Sequence, residues 1–305
     1  NRVQLKDVRQ EQLQRFFNEK AIKRLDGKPG GYSPSMCMLL FNIINGGLKK
    51  AMELGYIPRN PAAKIHLRPR ERGDKRIFTV DEQNRFEERV RADMKHYQNS
   101  SVYLLMLHTG LRVGEAIGLQ KGDIDFKNKE FHVKRTVGII TKEGGSGVEF
   151  YTADPKTNLG KRTVPMSEMI CRLLAEQIEH RDKLVEAMRE KWIADGRDAE
   201  IIDAGYLYLS DRGNVIFKAN LDHRMDRLLR EADIPTPRVT LHGLRHTFAT
   251  RWLEAGQDVR SLAEILGHSD VKMTLNVYTH SLPEQRRKGM DAMAAWLAGN
   301  TENSE

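Results

Sequence analysis

Three short strings in this 305-residue sequence combine side chains that could act on a phosphate ester. They are Thr-Gly-Leu-Arg-Val-Gly-Glu with Arg112 and Glu115, His-Gly-Leu-Arg with His242 and Arg245, and Leu-Gly-His with His268, followed ten residues later by Tyr278. Each string alone is weak evidence for a functional site. An Arg–Glu pair, a histidine near a helix start and a tyrosine on an apolar face all occur in proteins where they serve only the fold. Together with a lysine in the β-rich patch, the three strings form a set that can cleave a phosphodiester without a metal ion.

The chemistry of phosphodiester cleavage explains each residue type. Attack concentrates negative charge on the two non-bridging oxygens, which forked, permanently charged arginines such as Arg112 and Arg245 can hold. The i, i+3 spacing puts His242 and Arg245 on one helical face, directed at the same object. His242 and His268 can add hydrogen bonds to the phosphate. His242 is also the favoured proton acceptor for Tyr278, because a phenol with a pKa of about 10 is poorly ionised at neutral pH.

The elements that must position these residues are mainly helical, with a small antiparallel sheet. Ser33 followed by Pro34 predicts a helix that ends near Leu54, and Thr79 and Glu82 have the spacing of a capping box. Further helices are expected at about 80–93, at 99–109, from Gly114, from Ser167 to about Ala194, and after Leu209. Alternating apolar residues predict three antiparallel strands, at 131–139, 148–151 and 162–165, and a short strand at 206–209.

Basic residues are concentrated where the pattern of elements is interrupted. The chain has 50 Lys+Arg against 42 Asp+Glu, a formal net charge of +8. Residues 64–76 hold six basic and two acidic residues, which is half of that excess, and they include Pro69 and Gly73. We interpret 67–78 as a linker that is either a solvated hinge or a segment lying along a DNA backbone. The predicted DNA contacts are Lys64, Arg68, Arg70, Arg72, Lys75 and Arg76.

Composition and cysteine usage limit the class of protein. Hydrophobic residues make up 39% of the sequence, which indicates a globular chain. The sequence contains no run of eighteen apolar residues, so no transmembrane helix is predicted. Cys37 and Cys171 lie far apart without a Cys-x-x-Cys pair, so we expect core residues in a reducing cytosol and no metal site. A start at Asn1 without methionine or a signal-peptide core suggests a fragment of a longer protein.

The order of the three strings and the residues within them resemble the motifs of the tyrosine recombinases, the phage and transposon integrase family. That family's pattern is an Arg in a TGxRxxE context, a Lys on a β-hairpin, HxxR, a His in an LGH context, and a nucleophilic Tyr. The resemblance covers roughly 76–298 well and 5–66 more loosely, as a core-binding domain. Residues 154–165 read Asp-Pro-Lys-Thr-Asn-Leu-Gly-Lys-Arg-Thr-Val-Pro. The long β-rich insert that precedes them is most similar to the corresponding insert in integrases of conjugative transposons.

The resemblance implies a role for each site residue. Tyr278 would be the nucleophile that becomes joined to the DNA 3′ end, and Lys156 the general acid for the departing 5′-oxygen. Lys161 competes for the acid role, and Glu115 would orient the site. The phosphotyrosine keeps the bond energy, so the resemblance implies neither ATP nor a metal nor any other cofactor.

The resemblance also implies domains and partners. We expect a helical core-type DNA-binding domain at 1–66, a catalytic domain at 79–283 and a tail at 284–305. The expected partners are double-stranded DNA with specific recombination sites, three further subunits in a homotetramer on two DNA sites, and an accessory directionality factor, in the prokaryotic cytoplasm at the nucleoid. The tail has an apolar stripe (Met290, Met293, Ala294 and Leu297) that either folds back on its own domain or docks on a neighbouring subunit.

Two other functions fit part of the pattern. A type IB topoisomerase shares this chemistry but relaxes DNA alone, and the helical first domain and the TGLRVGE string favour recombination over it. A non-enzymatic DNA-binding regulator would account for a helix-turn-helix-like run at 258–276. It leaves Arg112, Lys156 and Arg245 unexplained.

Overall fold

The chain forms two compact units, Asn1–Asp74 and Lys75–Glu305. A computed structural model describes residues 3–67, 76–141, 148–153, 160–194 and 205–268, together with Arg287, Met290, Asp291, Met293 and Ala294. The division between the units falls inside the stretch that we predict as the linker, 67–78. No helix among these described residues is long and apolar enough to span a bilayer.

The first unit is helical, with α1 at Gln10–Lys20 and α2 at Pro34–Glu53 after a 3₁₀ turn at Leu5–Asp7. The Ser33 side chain accepts a hydrogen bond from the Met36 amide (3.3 Å) and so caps α2. This confirms the helix predicted from Ser33 to about Leu54. The core of the unit is a small apolar cluster of Leu48, Ala51, Ile57 and Ala62. Cys37 is buried and is not part of a disulfide, as expected of a core residue.

The second unit begins with the predicted capping box. The Thr79 hydroxyl accepts from the Glu82 amide (3.2 Å), and the Glu82 carboxylate accepts from the Thr79 amide (2.9 Å). The helices that follow are α3 (Val80–Met94), α4 (Ser101–Thr109), α5 (Val113–Ala116), α6 (Glu168–Ala194), α7 (Lys218–Glu231), α8 (Leu241–Glu254) and α9 (Val259–Leu266). Each helix predicted within the described residues is therefore present.

The strands differ from the prediction. They are β1 (Ile124–Asp125), β2 (Glu130–Val133), β3 (Thr136–Thr141), β4 (Val148–Ala153) and β5 (Arg162–Pro165). Strands β1, β2 and β5 form one antiparallel sheet in the order β1-β2-β5, and β3 pairs with β4 in another.

The prediction of a single strand at 131–139 is thus wrong, because this segment is divided between two strands in different sheets. The break falls at Lys134 and Arg135, which both pair with the buried carboxylate of Asp123. Arg135 also donates to the Gly118 carbonyl (3.2 Å), so its side chain is committed to the preceding loop. The predicted strand at 206–209 is also wrong, because only isolated bridges form there, Gln120 with Tyr206 and Leu209 with Val215.

Helix α4 lies at the centre of the second unit. It is buried on all sides, with every residue from Ser101 to Leu107 inaccessible, and it packs against α3, α6 and α8. The Tyr103 hydroxyl donates to the Leu221 carbonyl (2.8 Å) inside this core. Since α4 ends at Thr109, the buried Gly110 and Leu111 that follow carry the chain out of this helix beside α8.

Candidate active site

Arg112 and Glu115 form a local pair where the chain leaves α4. Gly110 ends α4 in the left-handed conformation (φ +67), and Arg112 is the residue that precedes α5. The Glu115 carboxylate accepts from the Arg112 amide (2.9 Å) and from Arg112 Nη1 (2.7 Å). The Glu115 side chain is only 4% exposed, whereas that of Arg112 is 41% exposed. The guanidinium therefore extends from a buried carboxylate to the surface.

Arg245 is buried beside this pair. Thr240 caps α8 by accepting from the Gly243 amide (3.2 Å), which puts Arg245 in the first turns of the helix. The Arg245 side chain is 3% exposed. Its Nη1 donates to the Gly110 carbonyl (2.8 Å) and its Nη2 to the Leu266 carbonyl (2.7 Å).

The Leu266 carbonyl is where the three sequence strings meet. Arg112 Nη1 lies 3.5 Å from this same oxygen, which Arg245 already contacts. Leu266 is the last residue of α9, and Gly267 follows in the left-handed conformation (φ +66). His268, the next residue, turns back so that its amide donates to the Ala263 carbonyl (2.9 Å). The end of α9 therefore carries His268 to the two arginines.

His268 is neutral at physiological pH. Burial lowers the pKa of its imidazole to about 4, and the nearby charges of Arg245, Arg112 and Arg162 act in the same direction. Its Nε2 lies 2.9 Å from Arg245 Nη2. A guanidinium can only donate, so Nε2 is the acceptor and the ring proton resides on Nδ1.

Glu115 is ionised. Burial would raise the pKa of its carboxyl group, but hydrogen bonds from Arg162 and the charges of Arg162 and Arg112 outweigh burial and lower the pKa to about 2. An acid this strong does not donate protons near pH 7. The carboxylate is therefore an acceptor for the arginines around it, and its orienting role stays a prediction.

The remaining predicted site residues differ in what the structure says of them. His242 lies one turn before Arg245 on α8 but is exposed, with its ring 4.4 Å from that of His246 in an edge-to-face arrangement. Lys161 is exposed immediately before β5. Lys156 and Tyr278 lie outside the described residues, as do Arg68, Arg70, Arg72 and Lys75. These assignments stay predictions.

Arg76, one of the predicted DNA contacts, makes several contacts within the second unit. Its guanidinium holds the Glu82 carboxylate through two hydrogen bonds (2.5 and 3.0 Å), and its Nε donates to the Pro237 carbonyl (3.2 Å). Phe78, two residues later, is part of the main core. Residues 76–78 thus belong to the second unit, and the DNA contact of Arg76 stays a prediction. Lys64 is exposed in the first unit.

Comparison with known families identifies the chain. A sequence profile described as the phage integrase family matches residues 76–285. The chain belongs to this family. One of its relatives is a "Tyrosine recombinase XerC-like" protein of Caldanaerobacter subterraneus subsp. tengcongensis, which is 30% identical to this chain over 289 residues. That alignment spans 92% of this chain and 70% of the relative.

Transposon proteins are also among the relatives of this phage integrase family member. The transposase from transposon Tn916 of Enterococcus faecalis is 29% identical over 213 residues, or 68% of this chain. The aligned part is 48% of that transposase, so the chain spans about half of the transposase's length. The resemblance to tyrosine recombinases of the conjugative-transposon type is thereby confirmed.

Solved structures share the fold of this phage integrase family member. The Tn1549 transposon integrase, in complex with a circular intermediate DNA, has a TM-score of 0.72 at 24% identity, over 95% of this chain and 85% of that one. A lambda integrase dimer bound to a COC′ core site has a TM-score of 0.58 at 15% identity, over 91% of this chain and 82% of that one. The predicted class, mainly α with small antiparallel sheets, is confirmed.

Arg162 belongs to this site, although it is not among the residues predicted from the sequence. The residue begins β5, and its side chain is 6% exposed. Its Nη2 and Nη1 lie 2.9 and 3.3 Å from the two oxygens of Glu115. The signal that could have found it is strand alternation, because Arg162 shares a face of β5 with the buried Val164. A charged residue on the inward face of a strand requires a buried partner.

Proposed function

We propose that this protein is a site-specific DNA recombinase that cleaves and rejoins strands through a covalent phosphotyrosine. The observation that carries the proposal is the convergence of Arg112, Arg245 and His268 on the end of α9. Three guanidinium groups, counting Arg162, surround the single carboxylate of Glu115, while His268 is neutral. The surplus positive charge is suited to a phosphate that gains negative charge in its transition state.

In the proposed reaction, a new bond forms between the Tyr278 oxygen and phosphorus as the bond from phosphorus to the 5′-oxygen breaks. Arg112 and Arg245 hold the non-bridging oxygens, and His268 donates a hydrogen bond to one of them. His242 takes the Tyr278 proton, and Lys156 protonates the departing 5′-oxygen. Rejoining is the reverse, with a 5′-hydroxyl from the partner strand. The bond energy stays in the phosphotyrosine, so this sequence of steps consumes no ATP.

The proposed substrate is double-stranded DNA at the ends of a mobile element, which the protein would integrate and excise. Support comes from the Tn916 transposase relative and from the Tn1549 integrase, whose structure contains a circular intermediate DNA. We further propose a tetramer on two DNA sites, assembled by the tail at 284–305. In the single chain, the helical Met290 and Met293 are exposed, as expected of a surface that a neighbour covers. An accessory directionality factor and a place at the nucleoid stay predictions.

The decisive experiment is to trap the covalent intermediate. A labelled duplex made from the joined ends of the element that carries this gene, nicked beside the cleavage site, would be incubated with the protein and run on a denaturing gel. Wild type should give a protein–DNA adduct. Tyr278→Phe, which removes one oxygen and keeps the ring, should bind the duplex and give none. Tyr151→Phe, at an exposed tyrosine of β4, is the control and should give the adduct.

Two outcomes would contradict the proposal. An adduct with Tyr278→Phe would mean that another residue is the nucleophile. Relaxation of a supercoiled plasmid that lacks the element ends would instead indicate a type IB topoisomerase, since a recombinase needs two partner sites.

A further inference from the structure

Arg162 connects three segments of the second unit. From the first position of β5, its Nη2 donates to Glu115 (2.9 Å) on α5, and its Nε donates to the Ile265 carbonyl (2.5 Å) on α9. Its Nη1 also lies 3.3 Å from the Gly160 carbonyl in its own segment. The Arg162 side chain is 6% exposed, and its Nε, Nη1 and Nη2 all donate to groups of the protein. Its effect on the reaction must pass through the residues that it contacts.

The first of these effects concerns the end of α9. Arg162 and Arg245 bind the consecutive carbonyls of Ile265 and Leu266, so two arginines hold the last turn of the helix. Gly267 follows, and a Cβ atom at that position would lie 2.9 Å from Nη1 of Arg162. The guanidinium is therefore packed directly against the turn from which His268 extends.

The second effect is electrostatic. The Glu115 carboxylate has Arg162 on both oxygens, Arg112 Nη1 at 2.7 Å from Oε1 and Arg245 Nη1 at 4.0 Å from Oε2. Without Arg162, this buried carboxylate would lose the two hydrogen bonds that Arg162 donates to it. It would attract the other two guanidinium groups more strongly, and these are the groups that the proposed reaction needs at the phosphate.

We propose that Arg162 is a positioning residue for phosphoryl transfer: it neutralises Glu115 and fixes the end of α9, so that Arg112 and Arg245 remain available to the phosphate. This inference rests on the proposed function and adds a residue to its site. It makes a specific prediction, because the harm done by removing Arg162 should depend on the charge of Glu115.

A double-mutant cycle tests this dependence. Arg162→Met, Glu115→Gln and the double variant would be compared with wild type for the single-turnover rate of adduct formation on the nicked duplex, with saturating protein and below the melting temperature of every variant. Arg162→Met should be slower by on the order of 10- to 100-fold, the range for a misplaced catalytic group, with duplex affinity unchanged. The double variant should be faster than Arg162→Met, because the amide that replaces the Glu115 carboxylate carries no charge to attract Arg112 and Arg245.

A matched control separates positioning from folding. Arg224 holds another buried carboxylate, that of Asp93, through two hydrogen bonds (2.7 and 2.9 Å) between α7 and α3. Arg224→Met should lower the melting temperature and leave the rate of adduct formation unchanged. A wild-type rate for Arg162→Met, or a double variant no faster than Arg162→Met, would overturn the inference alone. Absence of a Tyr278-dependent adduct in wild type would overturn the proposed function as well.

Discussion

Arg112 and Arg245 carry the same charge, but the protein holds them in different ways. The Arg245 side chain is buried and satisfies the carbonyls of Gly110 and Leu266. Arg112 is anchored at one end by Glu115 and reaches the surface. Arg245 therefore contributes to folding as well as to the proposed chemistry, whereas Arg112 is suited mainly to the chemistry.

Alanine substitution should separate these contributions. Arg245→Ala leaves buried carbonyls without donors, so it should lower the free energy of unfolding by about 1–3 kcal/mol. Arg112→Ala removes the more exposed partner of Glu115, which keeps Arg162 and Arg245 beside it, so it should cost less than Arg245→Ala. Both should raise the barrier to adduct formation by about 2–4 kcal/mol, the range for loss of one donor to a developing anion. Denaturant unfolding and single-turnover cleavage measure the two effects. Near-normal cleavage by either variant would contradict the shared role at the phosphate.

The general acid is the residue for which the site leaves two candidates. Lys156 is favoured by the family pattern, and Lys161 is exposed just before β5. A duplex with sulfur in place of the 5′-bridging oxygen has a leaving group that needs no proton. Lys156→Ala should therefore cleave normal DNA slowly and the sulfur duplex at nearly the wild-type rate. Rescue of Lys161→Ala, and not of Lys156→Ala, would transfer the role to Lys161.

At the scale of elements, local signals were sufficient for helices and insufficient for strands. The cap at Ser33 and the capping box at Thr79 are contacts within four residues, so the sequence displays them directly. The division of 131–139 depends on Asp123, which pairs with Lys134 and Arg135 from another part of the chain. The link from Arg162 to Glu115 spans 47 residues in the same way. No periodicity within one segment reveals such partners.

Gly110 is the position where one element limits the geometry of the site. It ends α4 at φ +67, and an added Cβ would lie 2.6 Å from side-chain atoms of Leu266 and Phe248. Its carbonyl also accepts from Arg245. The glycine is needed for backbone conformation and for the close approach of α8 and α9.

Gly110→Ala should therefore be more harmful than the same change at Gly256, which follows α8 at φ +76 with nothing within 4 Å of an added Cβ. Both substitutions carry the left-handed penalty of roughly 1–2 kcal/mol. Only Gly110→Ala adds overpacking, a further cost of about 1–3 kcal/mol. Urea unfolding of the two variants measures the difference. Equal destabilisation would show that Leu266 and Phe248 move aside without cost.

At the scale of the whole molecule, charge is distributed unevenly along the chain. The six basic and two acidic residues of 64–76 span the boundary in sequence between the two units. The Arg76 guanidinium binds the Glu82 carboxylate and the Pro237 carbonyl within the second unit. DNA binding by Arg68, Arg70 and Arg72 stays a prediction from sequence, with the solvated hinge as the alternative. Salt dependence can decide between the two, because every phosphate that the protein neutralises on binding releases counterions.

Arg68, Arg70 and Arg72 would be changed together to glutamine, and affinity for the element-end duplex measured against salt concentration. If the linker lies along the DNA backbone, the slope of log K against log salt should become shallower by up to about 0.9 for each phosphate that is no longer neutralised. The control removes exposed charge from α6 through Lys183→Gln and Arg189→Gln, both of which pair with glutamates on the same helix. That control should leave the slope as it is, because these groups are already neutralised locally. An unchanged slope in the linker variant would mean that 67–78 is a hinge, and a shallower slope in both would mean that net charge alone governs binding.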